Sequence, residues 1–265
     1  MHLPNHGRLL VSPDLHGNLD DFRALRRRFE SVTDVIWVQL GDVVHGPDAD
    51  ARRDRPALYD YPDESVAIVE AMLALKTAHP DRFHYVLGNH DHGHVGGPHP
   101  SKFHDDEVEA LERDLPPAKR DALRALFANA LLAVATPCGL LFTHGVPSDR
   151  LRSLAELDAL SLDVARNDER ANALLRDLLT SYGQPPEVVA RMLAQVSTPD
   201  ERYRVLVHGH DRDEAGFYVD GAEALGLCIF GAPRANKRCL WADLAASYSS
   251  ATDLRDGHEI RRVHE

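Results

Sequence analysis

Short apolar runs, each closing on a tight polar turn, recur along the chain: "RLLVSPDLHGN", "DVIWVQLGDVVHG", "RFHYVLGNHDHG", "GLLFTHGVPSD", "YRVLVHGHDRD" and "LGLCIFGAPRAN". Runs of this kind, bounded by Gly, Asp and Asn, predict buried strands. Segments of helical spacing lie between them at 19–30, 63–78, 105–114, 117–128 and 150–180. Strands alternating with helices predict an α/β fold. In such sheets ligands gather beyond the carboxyl ends of strands. Here the polar clusters stand at those ends, one after another.

Three stretches depart from the alternation. Residues 46–62, "GPDADARRDRPALYDYP", carry mixed charge and three prolines, and predict a surface loop or insertion. Residues 150–200 are helical in pattern with a Gly-Gln-Pro-Pro break at 183–186, and predict a helical subdomain or cap. The tail 249–265 is polar and is expected to be only partly ordered. There is no internal repeat, so the expectation is a single domain over 1–265.

The turn residues have a chemistry in common. Asp14 and His16 stand two apart in "PDLHG", and an extended chain projects such a pair from one side, able to grip one metal. Asp42 ends the second run, where a carboxylate can bridge two ions. Asn89 follows the third, and its amide oxygen suits a hard divalent ion. His144 and His210 follow the fourth and fifth. Carboxylates, an amide oxygen and imidazoles form a mixed O/N set suited to Mn²⁺, Fe or Zn²⁺ rather than a thiolate site. Two ions roughly 3.5–4 Å apart could share Asp42, clamp a phosphate and supply a hydroxide nucleophile. His90 would then be free to protonate a leaving oxygen. The loop "HDHGHVGGPHPSKFH" adds His92, His94, His99 and His104, expected to be a flexible polar loop, with a rim near the active site or a third metal site as the alternative, and "HDDEVEALERD" reads as a solvated helix face.

Charge narrows the partners. Lys+Arg 30 against Asp+Glu 42 gives −12, which disfavours nucleic acid and anionic membranes, since phosphate contacts need clustered cations. Bound divalent metal would still admit a phosphate substrate. The three cysteines are scattered and unpaired in spacing, as in a reduced compartment. No stretch approaches the ~18 apolar residues of a membrane span, so a cytoplasmic protein is expected.

Five blocks in order, "DLHGN" (14–18), "GDVVH" (41–45), "GNHD" (88–91), "FTHG" (142–145) and "HGH" (208–210), resemble the calcineurin-like metallophosphoesterases. The likeness is closest to the phosphoprotein phosphatase group with Ser/Thr phosphatases, in a bacterial-like member. "ESVAIVEAMLALKTAHPDRFHYVLGNHD", "FANALLAVATPCGLLFTHGVPSD" and "CIFGAPRANKRCLW" resemble the flanking regions, so the likeness covers about 8–245. It implies an αββα sandwich of two mixed sheets flanked by helices, and two divalent ions, most simply Mn²⁺ with Fe or Zn²⁺ as alternatives. Asp14, His16 and Asp42 would surround one ion, and Asp42, Asn89, His144 and His210 the other. Asp42 and His90 would be the catalytic residues, with His90 as general acid. His208 would be supporting or structural.

The departures are specific. The second block of the family continues Val-Asp-Arg-Gly, whereas here His45 replaces the aspartate that orients the general acid and Gly46 replaces a phosphate-binding arginine. Leu87 stands where a second arginine is usual. Arg212, Arg234 and His45 are the substrate-contact candidates, with the 52–55 cluster "RRDR" behind them. The expected activity is hydrolysis of a phosphorylated substrate by a Ser/Thr-type phosphatase. Hydrolysis of a phosphodiester or dinucleoside polyphosphate is the alternative, and a degenerate metal-containing binding module the remaining one.

Overall fold

The computed structural model describes residues 1–113 and 115–264. Asp114, which closes the predicted 105–114 helix, and Glu265, which ends the tail, lie outside the described residues.

Strand β1 (Arg8–Ser12), helix α1 (Leu19–Glu30) and strand β2 (Val35–Gln39) form the opening unit. Helix α1 begins where Asn18 accepts a hydrogen bond from the Asp21 amide, satisfying one of the free N–H groups of the first turn. Its Asp20 and Asp21 lie at the positive end of the helix dipole and Arg27 and Arg28 at the negative end, a favourable arrangement. Short helices α2 (Ala49–Asp54) and α3 (Pro56–Tyr59) follow, so residues 46–62 are not the plain loop their prolines predict. Pro56 opens α3 from its first position, where its missing N–H costs nothing. Next come α4 (Ser65–Ala78), β3 (Phe83–Tyr85), α5 (Asn89–His92), α6 (Glu107–Glu112) and α7 (Pro117–Ala128).

The second half contains β4 (Val134–Ala135), β5 (Leu140–Thr143), α8 (Glu169–Thr180), α9 (Pro186–Val196), β6 (Val205–His208), β7 (Phe217–Asp220), β8 (Ala224–Leu227), β9 (Arg238–Asp243) and β10 (Ile260–Arg262). The predicted helix at 150–180 is realised only from Glu169. Ahead of it run two 3₁₀ turns, Leu154–Ala159 and Val164–Arg166. The tail is more ordered than its polarity suggests: Ile260 is buried and β10 pairs antiparallel with β9.

The strands form two mixed five-stranded sheets, in the orders β10-β9-β1-β2-β3 and β4-β5-β6-β8-β7. Side chains of a strand alternate between faces, and the alternation defines the layers. Leu9, Val11, Ile36, Val38, Leu140, Phe142, Val205, Val207, Leu225, Leu227, Leu240 and Ala242 share one apolar cluster that joins both sheets. Leu10, Trp37, Leu141, Leu206 and Trp241, one residue out of phase, pack instead with helix residues such as Phe22, Ile68, Phe127, Leu178 and Met192. This is the expected αββα sandwich. Among the described residues no helix is long and apolar enough to cross a membrane.

Candidate active site

Asp14 lies two residues past β1, Asp42 three past β2, and Asn89 and His90 open α5 after β3. From the other sheet, His144 directly follows β5 and His210 stands two past β6. Strands β1, β2 and β3 of the first sheet are mutually parallel, as are β5 and β6 of the second, so each sheet delivers its residues from one end. The turns that do this are strained. Among the described residues, the non-glycine positions with positive φ are His16 (42°), Asp42 (49°), His45 (65°) and His210 (63°), all of them here. Such conformations persist where the surroundings enforce them, and they concentrate at functional sites.

Asp91 enforces two of these turns. Its Oδ2 accepts from the amides of Asp42 (2.6 Å) and Gly88 (3.0 Å), and its Oδ1 from that of Val43 (3.1 Å). Gly41 has φ +87° and its missing Cβ would lie 2.5 Å from the Gly88 nitrogen. Gly41→Ala is therefore expected to cost about 1–3 kcal/mol of stability, measurable by chemical denaturation.

The donor atoms converge on one oxygen. Asp42 Oδ1 accepts from the His90 amide at 2.8 Å, which leaves Oδ2 turned inward. Oδ2 lies 3.7 Å from His16 Nε2 and 3.5 Å from His144 Nε2. Both rings turn that nitrogen inward. His16 Nδ1 donates to the carbonyls of Val44 and His45, each at 3.2 Å, and His144 Nδ1 to that of Leu40 at 2.6 Å. Fixing one imidazole nitrogen in this way orients the other toward a metal. Asp14 Oδ2 stands 3.9 Å from His16 Nε2, while its Oδ1 accepts from the His210 amide at 2.9 Å. Asn89 Oδ1 faces His210 Nδ1 at 2.9 Å, His144 Nε2 at 3.1 Å and Asp42 Oδ2 at 3.1 Å. Turning the amide over would relieve this meeting of acceptors by hydrogen bonding; a cation among them relieves it with the oxygen as ligand.

The electrostatics agree with a cation site. Burial opposes a charge on Asp42, but His144 and His90 outweigh it and hold the carboxyl well below its usual range. Burial also opposes a charge on His144, yet Asp42 and Asp14 hold its pKa up at about 9. Burial raises Asp14 to about 6. A divalent ion would compete with the His144 proton, so uptake should strengthen as pH rises. Asp14, Asp42, His144 and His210 come within one ion's reach, and His16 joins Asp42 and His90 in a second group. The residues present fit two divalent ions sharing Asp42.

The histidine-rich loop is not the flexible polar segment expected. His92 and His94 are buried. His92 Nε2 donates to the Leu162 carbonyl at 2.6 Å, and His94 Nδ1 lies 2.8 Å from Glu112 Oε1. His99 pairs with Asp106 at the surface and His104 is exposed. The acidic helix is likewise not a solvated face throughout: Glu107 and Glu112 are buried, and Glu107 Oε2 lies 2.8 Å from His90 Nδ1. The spacing of Glu107, Val108, Leu111 and Glu112 on one helical face was the signal available for this. His208 is buried, hydrogen-bonded to the Gly209 carbonyl and beside the Tyr218 hydroxyl, in a supporting position.

The candidate substrate contacts separate. His45 is buried with Nε2 3.0 Å from His94 Nε2 and Nδ1 3.2 Å from His90 Nδ1, so it has no ring nitrogen left for substrate. Arg234 pairs with Asp20 of α1, and Arg53 with Asp50 at the surface. Arg212 instead lies 5.8 Å over the Phe230 ring, whose centroid is 4.0 Å from that of His16. Lys102, not singled out by any sequence pattern, places its ammonium 4.0 Å over the same ring. Neither cation is ion-paired among the described residues. Tyr59 stacks on Phe230 at 5.1 Å, which brings the 46–62 segment to the rim, and exposed Tyr182 stacks on His210 at 4.5 Å.

Turns at the strand ends of a two-sheet sandwich that gather Asp, Asn and His donors are an arrangement suited to a metal-dependent phosphoesterase. The chain belongs to the calcineurin-like phosphoesterases, whose family model matches residues 7–219. Comparison with curated protein sequences gives no match. Among solved structures, the chain is similar to a protein serine/threonine phosphatase from Saccharomyces cerevisiae described as similar to human phosphatase PP5 (TM-score 0.61, 16% identity, 86% of this chain and 70% of that one). It is also similar to a cold-active protein tyrosine phosphatase (0.58, 14%, 92% and 78%) and to a putative diadenosine tetraphosphatase (0.50, 18%, 91% of both). At these identities the likeness is one of fold.

Proposed function

We propose that the protein is a phosphomonoesterase of the Ser/Thr phosphatase type, with Asp14, His16, Asp42, Asn89, His144 and His210 as ligands of two divalent ions, Mn²⁺ first among them. The observation that carries the reading is the convergence of these donors about Asp42 Oδ2, with His90 beside them. Two ions bound there would offset phosphate charge and lower the pKa of an attacking water. The protein's own part is positional. His90 gives a proton to the departing oxygen as the P–O bond breaks, which removes the need to expel a free alkoxide.

Lys102 and Arg212 take the place of the missing phosphate-binding arginines. Two unpaired cations held over one ring repel each other, and a terminal phosphate dianion satisfies both. This favours a monoester over a diester, which carries one charge fewer. Lys102→Met or Arg212→Ala is expected to raise KM for phenyl phosphate about tenfold, the equivalent of one charge-assisted contact, with smaller loss in kcat. Burial and the charge of Arg212 lower the Lys102 pKa to about 8. A lysine is cationic below its pKa, so KM should rise as pH passes upward through about 8, and Lys102→Met should flatten that rise.

Turnover of p-nitrophenyl phosphate and of a phosphoserine peptide with Mn²⁺ tests the reading. Robust cleavage of diesters or dinucleoside polyphosphates, with monoesters untouched, would transfer it to the phosphodiesterase alternative. Two bound metals with no hydrolysis of any phosphoester would leave a binding module.

A further inference from the structure

We propose that Glu107 of α6 is the positioning carboxylate of the general acid, holding the Nδ1 edge of His90 so that the exchanging proton resides on Nε2. The inference rests on the phosphoesterase reading above and assigns a residue that neither the sequence blocks nor the family match singles out.

Glu107 is 1% exposed. Its two oxygens have separate tasks. Oε1 accepts from the backbone amides of Lys102 (3.1 Å) and Phe103 (2.7 Å), which pins the carboxylate in place. Oε2 lies 2.8 Å from His90 Nδ1 and 3.4 Å from His45 Nδ1; among the described residues it is a buried oxygen with no aligned hydrogen bond, and His90 Nδ1 is the nearest group able to supply one.

The proton positions follow from the far end of the network. Glu112, held by Arg124, meets His94 Nδ1 at 2.8 Å, and a carboxylate there requires the hydrogen on Nδ1. Burial and His45 lower the His94 pKa to about 4, so the ring is neutral and its Nε2 accepts. His45 Nε2, 3.0 Å away, must therefore donate, which leaves the His45 Nδ1 lone pair facing His90 at 3.2 Å. His90 Nδ1 now meets two acceptors, that lone pair and Glu107 Oε2, and carries a hydrogen in every protonation state of the ring. The acidic proton is left to Nε2. When it passes to the leaving oxygen the ring becomes neutral with Nδ1–H still on Glu107, and a solvent proton restores Nε2. Burial opposes ionisation of Glu107, but hydrogen bonding outweighs it and holds the carboxyl well below the usual carboxylate range, so it stays an acceptor.

The position also accounts for His45. Its Nδ1 is close enough to His90 Nδ1 for a shorter carboxylate at 45 to reach the same nitrogen. The test uses the full-length protein with Mn²⁺, comparing Glu107→Gln with the double variant Glu107→Gln/His45→Asp. Glutamine keeps an oxygen for the two backbone amides, and thermal melts check that the fold is retained. Loss of an oriented acid falls on substrates with poor leaving groups. Glu107→Gln is expected to lower kcat for phenyl phosphate about 30-fold and for p-nitrophenyl phosphate less than threefold, with KM little changed. His45→Asp in that background is expected to recover most of the loss.

An equal loss on both substrates, no loss, or a loss that His45→Asp leaves unrecovered would overturn the inference. So would a third equivalent of metal in the wild type that Glu107→Gln lacks, since His45, His90 and Glu107 would then be ligands. A wild-type protein that hydrolyses no phosphoester defeats the functional reading itself, and is told apart by that control.

Discussion

Asp42→Asn is expected to lower kcat/KM for phosphoester hydrolysis by on the order of 10³-fold or more, about 4 kcal/mol of transition-state stabilisation. The substitution is conservative in shape. An asparagine oxygen can still accept from the His90 amide as Oδ1 does. Its amide nitrogen then occupies the place of Oδ2, the atom facing His16, His144 and Asn89. A shared acceptor becomes a donor, and no ligand remains common to the two proposed ions. Metal content by elemental analysis should fall from two equivalents per chain while the melting profile stays cooperative. Full activity with two metals retained would remove Asp42 from the bridging position.

His90→Asn is expected to have the opposite signature: metal content unchanged, and kcat for phenyl phosphate reduced by about 10²–10⁴-fold, the range for loss of a general acid. The ring stands edge-on to His16 at 4.5 Å and is held by Glu107 on its other side. It stands within reach of the donors at His16 and Asp42, so unchanged metal content in the variant is what separates a general acid from a ligand. As with Glu107, the loss should shrink for p-nitrophenyl phosphate, whose leaving oxygen needs little proton assistance. A loss independent of leaving group would indicate that His90 acts through structure or metal binding.

The placement of the candidate donors was legible in sequence where local pattern and chemistry coincide. Asp14, Asp42, Asn89, His144 and His210 each follow a short apolar run, and a strand end fixes where such a residue goes. Neither Glu107 nor Lys102 belongs to a strand-end turn, so helical spacing marks Glu107 as buried without placing it at the site, and nothing marks Lys102. They reach the site through the fold of residues 96–112, whose course depends on packing of His92, His94 and Val108. The polar look of that stretch misled for the same reason: histidines and glutamates that satisfy one another can be buried. The tail was underestimated because β10 is set by pairing with β9 and by one buried residue, Ile260, rather than by an apolar run. The break in the predicted 150–180 helix has a local cause. Asp168 caps α8 by accepting from the Ala171 amide at 2.7 Å, which starts the helix there.

Two divalent ions about Asp42 would make this chain a phosphoester hydrolase. Stripping the protein with chelator and titrating Mn²⁺ back while following p-nitrophenyl phosphate tests it most directly. No turnover is expected after stripping, and activity should rise to a plateau at two ions per chain. Turnover that persists without metal, or two ions bound with no turnover of any phosphoester, would contradict it.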